Sequence, residues 1–244
     1  MEKRVALITG GSKGIARGIA LDLASRGWSV ALCYRSKPEL AAETVRAIEA
    51  HGVEAMASQV DVSDTAASTA FVGEVEQRFG RIDALIHGAG PYHRVPLLQE
   101  TPEAWRAMFD NNLHPVFDMS QAVATGMKER GFGRILGFSM ANVDKMQANP
   151  GVAAHYIAKA GVLLLMKSLA KTLAPHGITA NVISPGFIDS GSAPQEELDA
   201  MLKKIPAKRI GTVDDAVSAA RFLLSEEASY VNGANIVISG AWGL

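Results

Sequence analysis

Residues 9–16, Thr-Gly-Gly-Ser-Lys-Gly-Ile-Ala, follow the apolar run Val5-Ala6-Leu7-Ile8 and open a helical pattern. Glycines at 10, 11 and 14 let the backbone turn tightly and come close to a pyrophosphate. The helix start behind them offers unpaired N–H groups and the positive end of a dipole. A glycine-rich turn between a strand and a helix is the context in which such a turn binds a dinucleotide. Gly10, Ser12, Lys13, Gly14 and Ile15 are therefore the expected phosphate contacts. A second group refines the chemistry. After the second apolar run comes Cys33-Tyr34-Arg35-Ser36-Lys37, with no Asp or Glu to accept bonds from an adenosine ribose 2′-hydroxyl. Arg35, Ser36 and Lys13 suit a 2′-phosphate instead, through charge-assisted hydrogen bonds. The expected cofactor is NADP(H).

The elements that must position these residues are legible in the hydrophobic pattern. Apolar runs at 5–9, 29–34, 54–60, 84–87, 134–139, 179–184 and 235–239 predict seven strands. Several are apolar at nearly every position, as strands buried on both faces must be. Helical patterns at 14–26, 38–51, 64–79, 102–128, 152–173 and 213–224 lie between them. Parallel neighbours need crossover connections, so strand–helix alternation predicts an α/β fold: one doubly wound Rossmann domain over 1–244, with a seven-stranded, mostly parallel sheet and helices on both faces. The stretch 187–208 is the loosest. It follows the sixth strand, where loops line the ligand crevice, and is expected to form a substrate lid with a short helix near 196–203.

Composition excludes several classes. The chain has 244 residues, 48% hydrophobic and 20% charged, with 24 basic and 25 acidic side chains. A chain this long buries roughly 70–75% of its unfolded surface, so disorder and dependence on a disulfide or metal staple are both excluded. The charge balance gives no electrostatic case for nucleic acid or an anionic membrane. The single cysteine, Cys33, is expected to be a buried strand residue, and no Cys/His spacing suggests a metal. With no leader pattern and no membrane-length apolar stretch, a cytoplasmic protein is expected.

With the turn and the alternation placed, the whole chain resembles the short-chain dehydrogenase/reductase family. Thr9–Ala16 resembles its Thr-Gly-xxx-Gly-x-Gly signature, with Ala16 in place of the last Gly. Asp61-Val62 matches the acidic pair that contacts adenine. His87-Gly88-Ala89-Gly90 stands where the family usually has Asn-Asn-Ala-Gly. Asn112-Leu113 matches the helix Asn that holds a proton-relay water. Lys159-Ala160-Gly161 matches the catalytic Lys. Ser184-Pro185-Gly186-Phe187-Ile188 matches the turn beside the nicotinamide. Tyr34-Arg35-Ser36 and Gly177-Ile178-Thr179-Ala180-Asn181-Val182 resemble the 3-oxoacyl-[acyl-carrier-protein] reductase branch. The resemblance implies cofactor contacts from Asp61, Val62, Gly88, Ala89, Gly90, Lys159, Pro185, Gly186 and Ile188. It also implies hydride transfer to a carbonyl, such as a 3-oxoacyl thioester, and a homo-oligomer, dimer or tetramer.

The catalytic positions depart from the family pattern. A Tyr should stand four residues before Lys159, where His155 stands, and Tyr156 comes one position late. At about 100° per residue, His155 lies about 40° from Lys159 around the helix axis and Tyr156 about 60° on the other side. Either can approach the lysine, but not both at one spot. The expected Ser position holds Met140, and Ser139 comes one residue early, on the opposite face of an extended strand. Asn112, Ser139, His155, Tyr156 and Lys159 are the candidate catalytic residues. Three readings follow: a reductase served by Tyr156 and Ser139 through local irregularity or by His155 as acid; a catalytically impaired NADP(H)-binding regulator or partner subunit; or different acid–base chemistry in the same pocket. Tyr92 and His93 are further candidates for the crevice wall. His114 and Asn181 are expected to be structural, and Trp105, Met108 and Phe109 to form a core stripe. The helix after Lys159, apolar nearly all round at 162–166, must be buried by more than the sheet, and the resemblance implies that it pairs with a second copy.

Overall fold

The computed structural model describes residues 3–191 and 195–243. Seven strands build the central sheet: β1 (Val5–Thr9), β2 (Ser29–Tyr34), β3 (Ala55–Gln59), β4 (Ala84–His87), β5 (Gly133–Phe138), β6 (Ile178–Pro185) and, after the short pair described below, β9 (Asn235–Ile238). Their order is β3-β2-β1-β4-β5-β6-β9, and every neighbouring pair is parallel. Alternation within each strand divides the core between two faces. Val5, Leu7, Ala31 and Leu85 point into one layer, and Ala6, Ile8, Val30 and Ile86 into the other.

The first layer is closed by α3 (Thr65–Phe79), α5 (His114–Arg130) and α6 (Ala153–Leu173), through residues such as Phe71, Met119 and Met166. The second is closed by α1 (Gly14–Ser25), α2 (Pro38–Glu49) and α8 (Val213–Leu224), through Ile19, Ile48 and Leu223. The capping chemistry is local. Asp64 accepts the Ala67 N–H at 3.0 Å, Gly80 closes α3 in the left-handed region, and Thr212 and Asp215 form a capping box on α8.

The helix expected over 102–128 is two helices, α4 (Pro102–Asn112) and α5, meeting at Leu113. Pro115 is the cause: it has no N–H to give the Asn111 carbonyl, and its ring crowds that turn. The break leaves Asn112 at the end of α4, where it can face the cleft. His114, exposed, pairs with Asp110 at 3.0 Å. Of the expected stripe, Met108 is buried, whereas Trp105 and Phe109 are half-buried and stack on each other at 5.5 Å. Asn181 stitches β6 to the segment before β9, donating to the Val231 carbonyl and accepting the Ala234 N–H. Cys33 is buried, and burial pushes its thiol up to about 11.

Beyond β6 the chain forms a short parallel pair, β7 (Ile188–Asp189) with β8 (Gly211–Thr212), around α7 (Gln195–Leu202). The lid expected over 187–208 includes positions 192–194, which lie outside the described residues. No described helix is long and apolar enough to cross a membrane.

Candidate active site

The crevice opens at the carboxyl ends of the strands, where the order reverses between β1 and β4. In a doubly wound sheet this is where ligands bind. It encloses about 640 Å³, within the range of a small-molecule site. The turn from β1 to α1 forms its floor at one end. Gly10 has φ +66°, and a Cβ there would lie 3.0 Å from the Ala89 backbone; Gly14 has φ +58°. Thr9 Oγ1 accepts the Ala89 N–H at 3.0 Å, tying the turn to the segment after β4. The first-turn N–H groups of α1 have no side-chain cap. A cradle with no room for side chains, ending on an uncapped helix start, fits a pyrophosphate.

Two departures from the family pattern belong together here. A Cβ on Gly88 would come within 2.5 Å of the Ala16 Cβ, so the methyl of Ala16 occupies space that a side chain at 88 would need. Ala16 is buried in α1, where alanine is a better helix former than glycine by about 1 kcal/mol.

The other expected cofactor contacts converge on the same cleft. Ser12, Lys13 and Ile15 line it beside the turn, and Arg35 and Ser36 line its far end beyond β2. Asp61 and Val62 form the rim after β3, Gly88 to Gly90 the wall after β4, and Pro185 and Ile188 the wall after β6. Asp61 accepts the Ser63 hydroxyl at 2.7 Å and the Ser63 N–H at 3.0 Å, which holds its carboxyl below the usual range. Gly186 is the exception. It packs on Ser239, where a Cβ would find only 3.0 Å, and its N–H bonds the Ile238 carbonyl; it turns the chain rather than lining the cleft.

At the catalytic end, Lys159 is buried on α6, lines the cleft, and donates from Nζ to the Phe138 carbonyl at 3.0 Å. Burial lowers its pKa to about 8. Asn112 donates from Nδ2 to the Met108 and Pro91 carbonyls, leaving Oδ1 buried without a protein partner. A Cβ on Gly90 would lie 2.5 Å from that Oδ1 and 3.3 Å from Lys159 Nζ, so Gly90 packs against both without room for a side chain; in the cleft lining itself stands the neighbouring Asn111.

The two displaced hydroxyls are elsewhere. Ser139 donates to the Lys159 carbonyl at 2.8 Å, so its oxygen is turned into the backbone of α6. β5 ends at Phe138 without a bulge that would bring Ser139 round. Tyr156 reaches the loop 142–147: its hydroxyl sits 3.0 and 3.3 Å from the Asn142 and Val143 carbonyls and accepts the Gln147 N–H at 3.1 Å. One O–H has one proton, and here it is committed to backbone. α6 begins regularly at Ala153, and no π-bulge carries the ring to the other side.

His155 is buried, with its ring edge-on to Tyr92 at 5.0 Å. Burial first, and then the Lys159 charge, lower its pKa to about 4. His87 stands where the family usually has an asparagine. It closes β4 and lines the cleft floor, with Nε2 3.2 Å from Ser120 Oγ. Burial and then the Lys159 charge lower its pKa to about 3. The available signal was a polar residue ending the otherwise apolar run Ala84-Leu85-Ile86. Tyr92 lines the cleft, whereas His93 pairs with Glu100 at 2.8 Å.

These magnitudes decide which group carries a proton at pH 7. With a pKa of about 8, about nine in ten Lys159 side chains are charged; with a pKa of about 4, about one His155 in a thousand is. At this end of the cleft the Lys159 ammonium carries a proton, and His155 is neutral. Among the described residues no group of three His, Cys, Asp or Glu side chains comes together as metal ligands.

Comparison with known proteins agrees with this architecture. Residues 10–242 match the family described as Enoyl-(Acyl carrier protein) reductase. The chain is 38% identical over 238 residues to the 3-oxoacyl-[acyl-carrier-protein] reductase FabG of Staphylococcus aureus, covering 96% of each. It is 36% identical over 245 residues to the acetoacetyl-CoA reductase of Shinella zoogloeoides, covering 97% of each. The crystal structure of acetoin dehydrogenase YohF from Salmonella typhimurium superposes with a TM-score of 0.90 at 28% identity, covering 98% of this chain and 96% of that one.

Proposed function

The chain belongs to the short-chain dehydrogenase/reductase family of oxidoreductases, and from that premise we propose that it uses NADP(H) to reduce the carbonyl of a 3-oxoacyl thioester or a similar ketone. The observation that carries this reading is Lys159. It is a buried ammonium lining the cleft, with its pKa lowered to about 8, while the hydroxyls of Ser139 and Tyr156 are bonded to backbone. The preference for NADP(H) rests on Arg35 and Ser36 at the adenosine end, beside Lys13. The carbonyl substrate rests on what the reductases at 36–38% identity are named for.

Gly10, Gly14 and the start of α1 would hold the pyrophosphate of NADP(H), and Arg35 and Ser36 its 2′-phosphate; when bound, the cofactor would supply the hydride. Lys159, oriented by the Phe138 carbonyl, gives its proton to the carbonyl oxygen as that oxygen gains charge. His155 and His87, both neutral, border the lysine without adding positive charge. The segment 187–208 serves as the substrate lid.

The second reading, an NADP(H)-binding protein without turnover, draws on the same hydroxyl geometry. NADPH oxidation with a 3-oxoacyl thioester and with a diketone separates the two. Turnover in the wild type and in Tyr156→Phe, with loss in Lys159→Met, supports the lysine mechanism. Loss of kcat in Tyr156→Phe with the fold intact overturns it. NADPH binding without wild-type turnover on either substrate favours the second reading.

We also propose a homo-oligomer, dimer or tetramer. Phe117 on α5 and Ile157 and Leu164 on α6 are about half exposed, beside a groove of about 430 Å³ at Leu113, Gly161 and Leu165. A monomeric mass at micromolar concentration would refute this.

A further inference from the structure

With Lys159 as the proton donor, the hydroxyl of Tyr156 has no task in proton transfer, yet it is bonded to three backbone groups of one loop. That loop holds two residues other than glycine in the left-handed region, Asn142 at φ +68° and Met146 at φ +52°. Such conformations persist only where their surroundings over-determine them. Tyr156 supplies the surroundings: its one proton goes to the carbonyls of Asn142 and Val143, nearer the first, and its oxygen accepts the Gln147 N–H at the other end of the loop.

The loop in turn holds the end of the described chain. Lys145 Nζ donates to the Gly243 carbonyl, and a Cβ on Gly243 would run into the Asn142 side chain. Next to Gly243, Trp242 packs edge-on against Phe187 with ring centroids 4.7 Å apart. Gly240 accepts the Ala207 N–H, and the Ala141 N–H bonds the Pro185 carbonyl. The loop follows β5 and Phe187 follows β6, and the neighbouring residues Phe138 and Ile188 line the cleft.

We propose that Tyr156 is a positioning residue: its hydroxyl latches the loop 142–147, and through it the turn at 240–243, so that Phe187 and Trp242 form one apolar wall next to the cleft residue Ile188. The wall suits the hydrocarbon part of a ketone substrate. This second half rests on the reading that a carbonyl compound is reduced beside Lys159.

The test uses the NADPH-loaded protein and has two arms. In hydrogen exchange, Tyr156→Phe removes the hydroxyl bonded to Asn142, Val143 and Gln147, and exchange in peptides covering 142–147 and 240–243 is expected to rise about tenfold, with β1 and α1 unchanged. In steady-state kinetics, KM for a long-chain 3-oxoacyl thioester rises about tenfold in Tyr156→Phe and in Trp242→Ala. KM for NADPH and kcat stay within about twofold, and KM for a small diketone changes little. Unchanged exchange in both segments overturns the latch. Faster exchange with an unchanged long-chain KM overturns the substrate wall, as does a loss of kcat with KM held. If the wild type turns over neither substrate, the proposed function fails, and the exchange arm still decides the latch.

Discussion

The β1–α1 and β5–α6 crossovers both carry the chain from the end of a buried parallel strand to a helix bordering the cleft. The first does so in four residues, 10–13, and the second in fourteen, 139–152. In the short turn the working groups are backbone N–H donors and the absence of Cβ atoms. What is fixed there is the space left by the missing Cβ atoms. In the long one the family's chemistry depends on which side chain faces the cleft, and a slip of one position on a strand or helix changes the face. This explains how one crossover keeps its nucleotide cradle while the other turns Ser139 and Tyr156 into structural bonds around the same Lys159.

The largest effect expected from this contrast is on the lysine. Lys159→Met should lower kcat/KM for carbonyl reduction by about 100-fold or more, the usual scale of a lost general acid, while NADPH Kd changes less than tenfold. In the proposed mechanism the ammonium is the active form, and with its pKa lowered to about 8 wild-type reduction should fall as pH rises through about 8. A rate unaffected by the substitution would mean the second crossover keeps another acid.

At the first crossover, Arg35→Asp should shift the NADPH-to-NADH preference in kcat/KM toward NADH by about 10–100-fold, the worth of a charge-assisted phosphate contact. An unchanged ratio would place the 2′-phosphate elsewhere.

Next comes the pH dependence of stability. The pKa values of His155 and His87 are lowered to about 4 and about 3, so below about pH 6.5 the unfolded chain takes up protons that the fold refuses. Stability is therefore fully present above pH 6.5 and declines on acidification, by about 2 kcal/mol per histidine at pH 5. Urea titrations at pH 7 and 5 should show the loss reduced by about that amount in His155→Phe and in His87→Asn. Equal losses in all three proteins would mean the imidazoles are not held neutral.

The smallest effect concerns the glycine cradle. Gly88→Asn should cost about 1–2 kcal/mol by crowding Ala16, and Ala16→Gly in the same chain should recover part of it. Additive costs in chemical denaturation would show the two positions to be independent.

Much of this was legible beforehand for a physical reason. Strands buried on both faces are apolar throughout, and a nucleotide turn is written in glycines, so the seven strands, Gly10, Gly14 and the residues around Arg35 could be read directly. The one-helix reading of 102–128 failed because amphipathic spacing continues across a bend, and Pro115 was the mark to heed. The destination of the Tyr156 hydroxyl was not legible. Helical angle put it within reach of Lys159, but the carbonyls it bonds belong to a loop whose left-handed residues, Asn142 and Met146, carry no glycine to announce them. His87 was legible as a polar strand end, yet its place on the cleft floor depends on how β4 lies between β1 and β5.

The contact between Ala16 and Gly88 also fixes a direction of travel. Starting from glycine at 16 and asparagine at 88, as the family usually has, adding the methyl first would drive it into an occupied site. Removing the asparagine side chain first opens the room, after which the methyl enters freely and strengthens α1. A side chain put back at 88 meets two obstacles, the Ala16 methyl at 2.5 Å and the Thr9 carbonyl oxygen at 2.7 Å from its Cβ, and only the first is relieved by glycine at 16. A mutational library that varies position 88 alone would therefore recover almost nothing but glycine there, whatever chemistry was being selected.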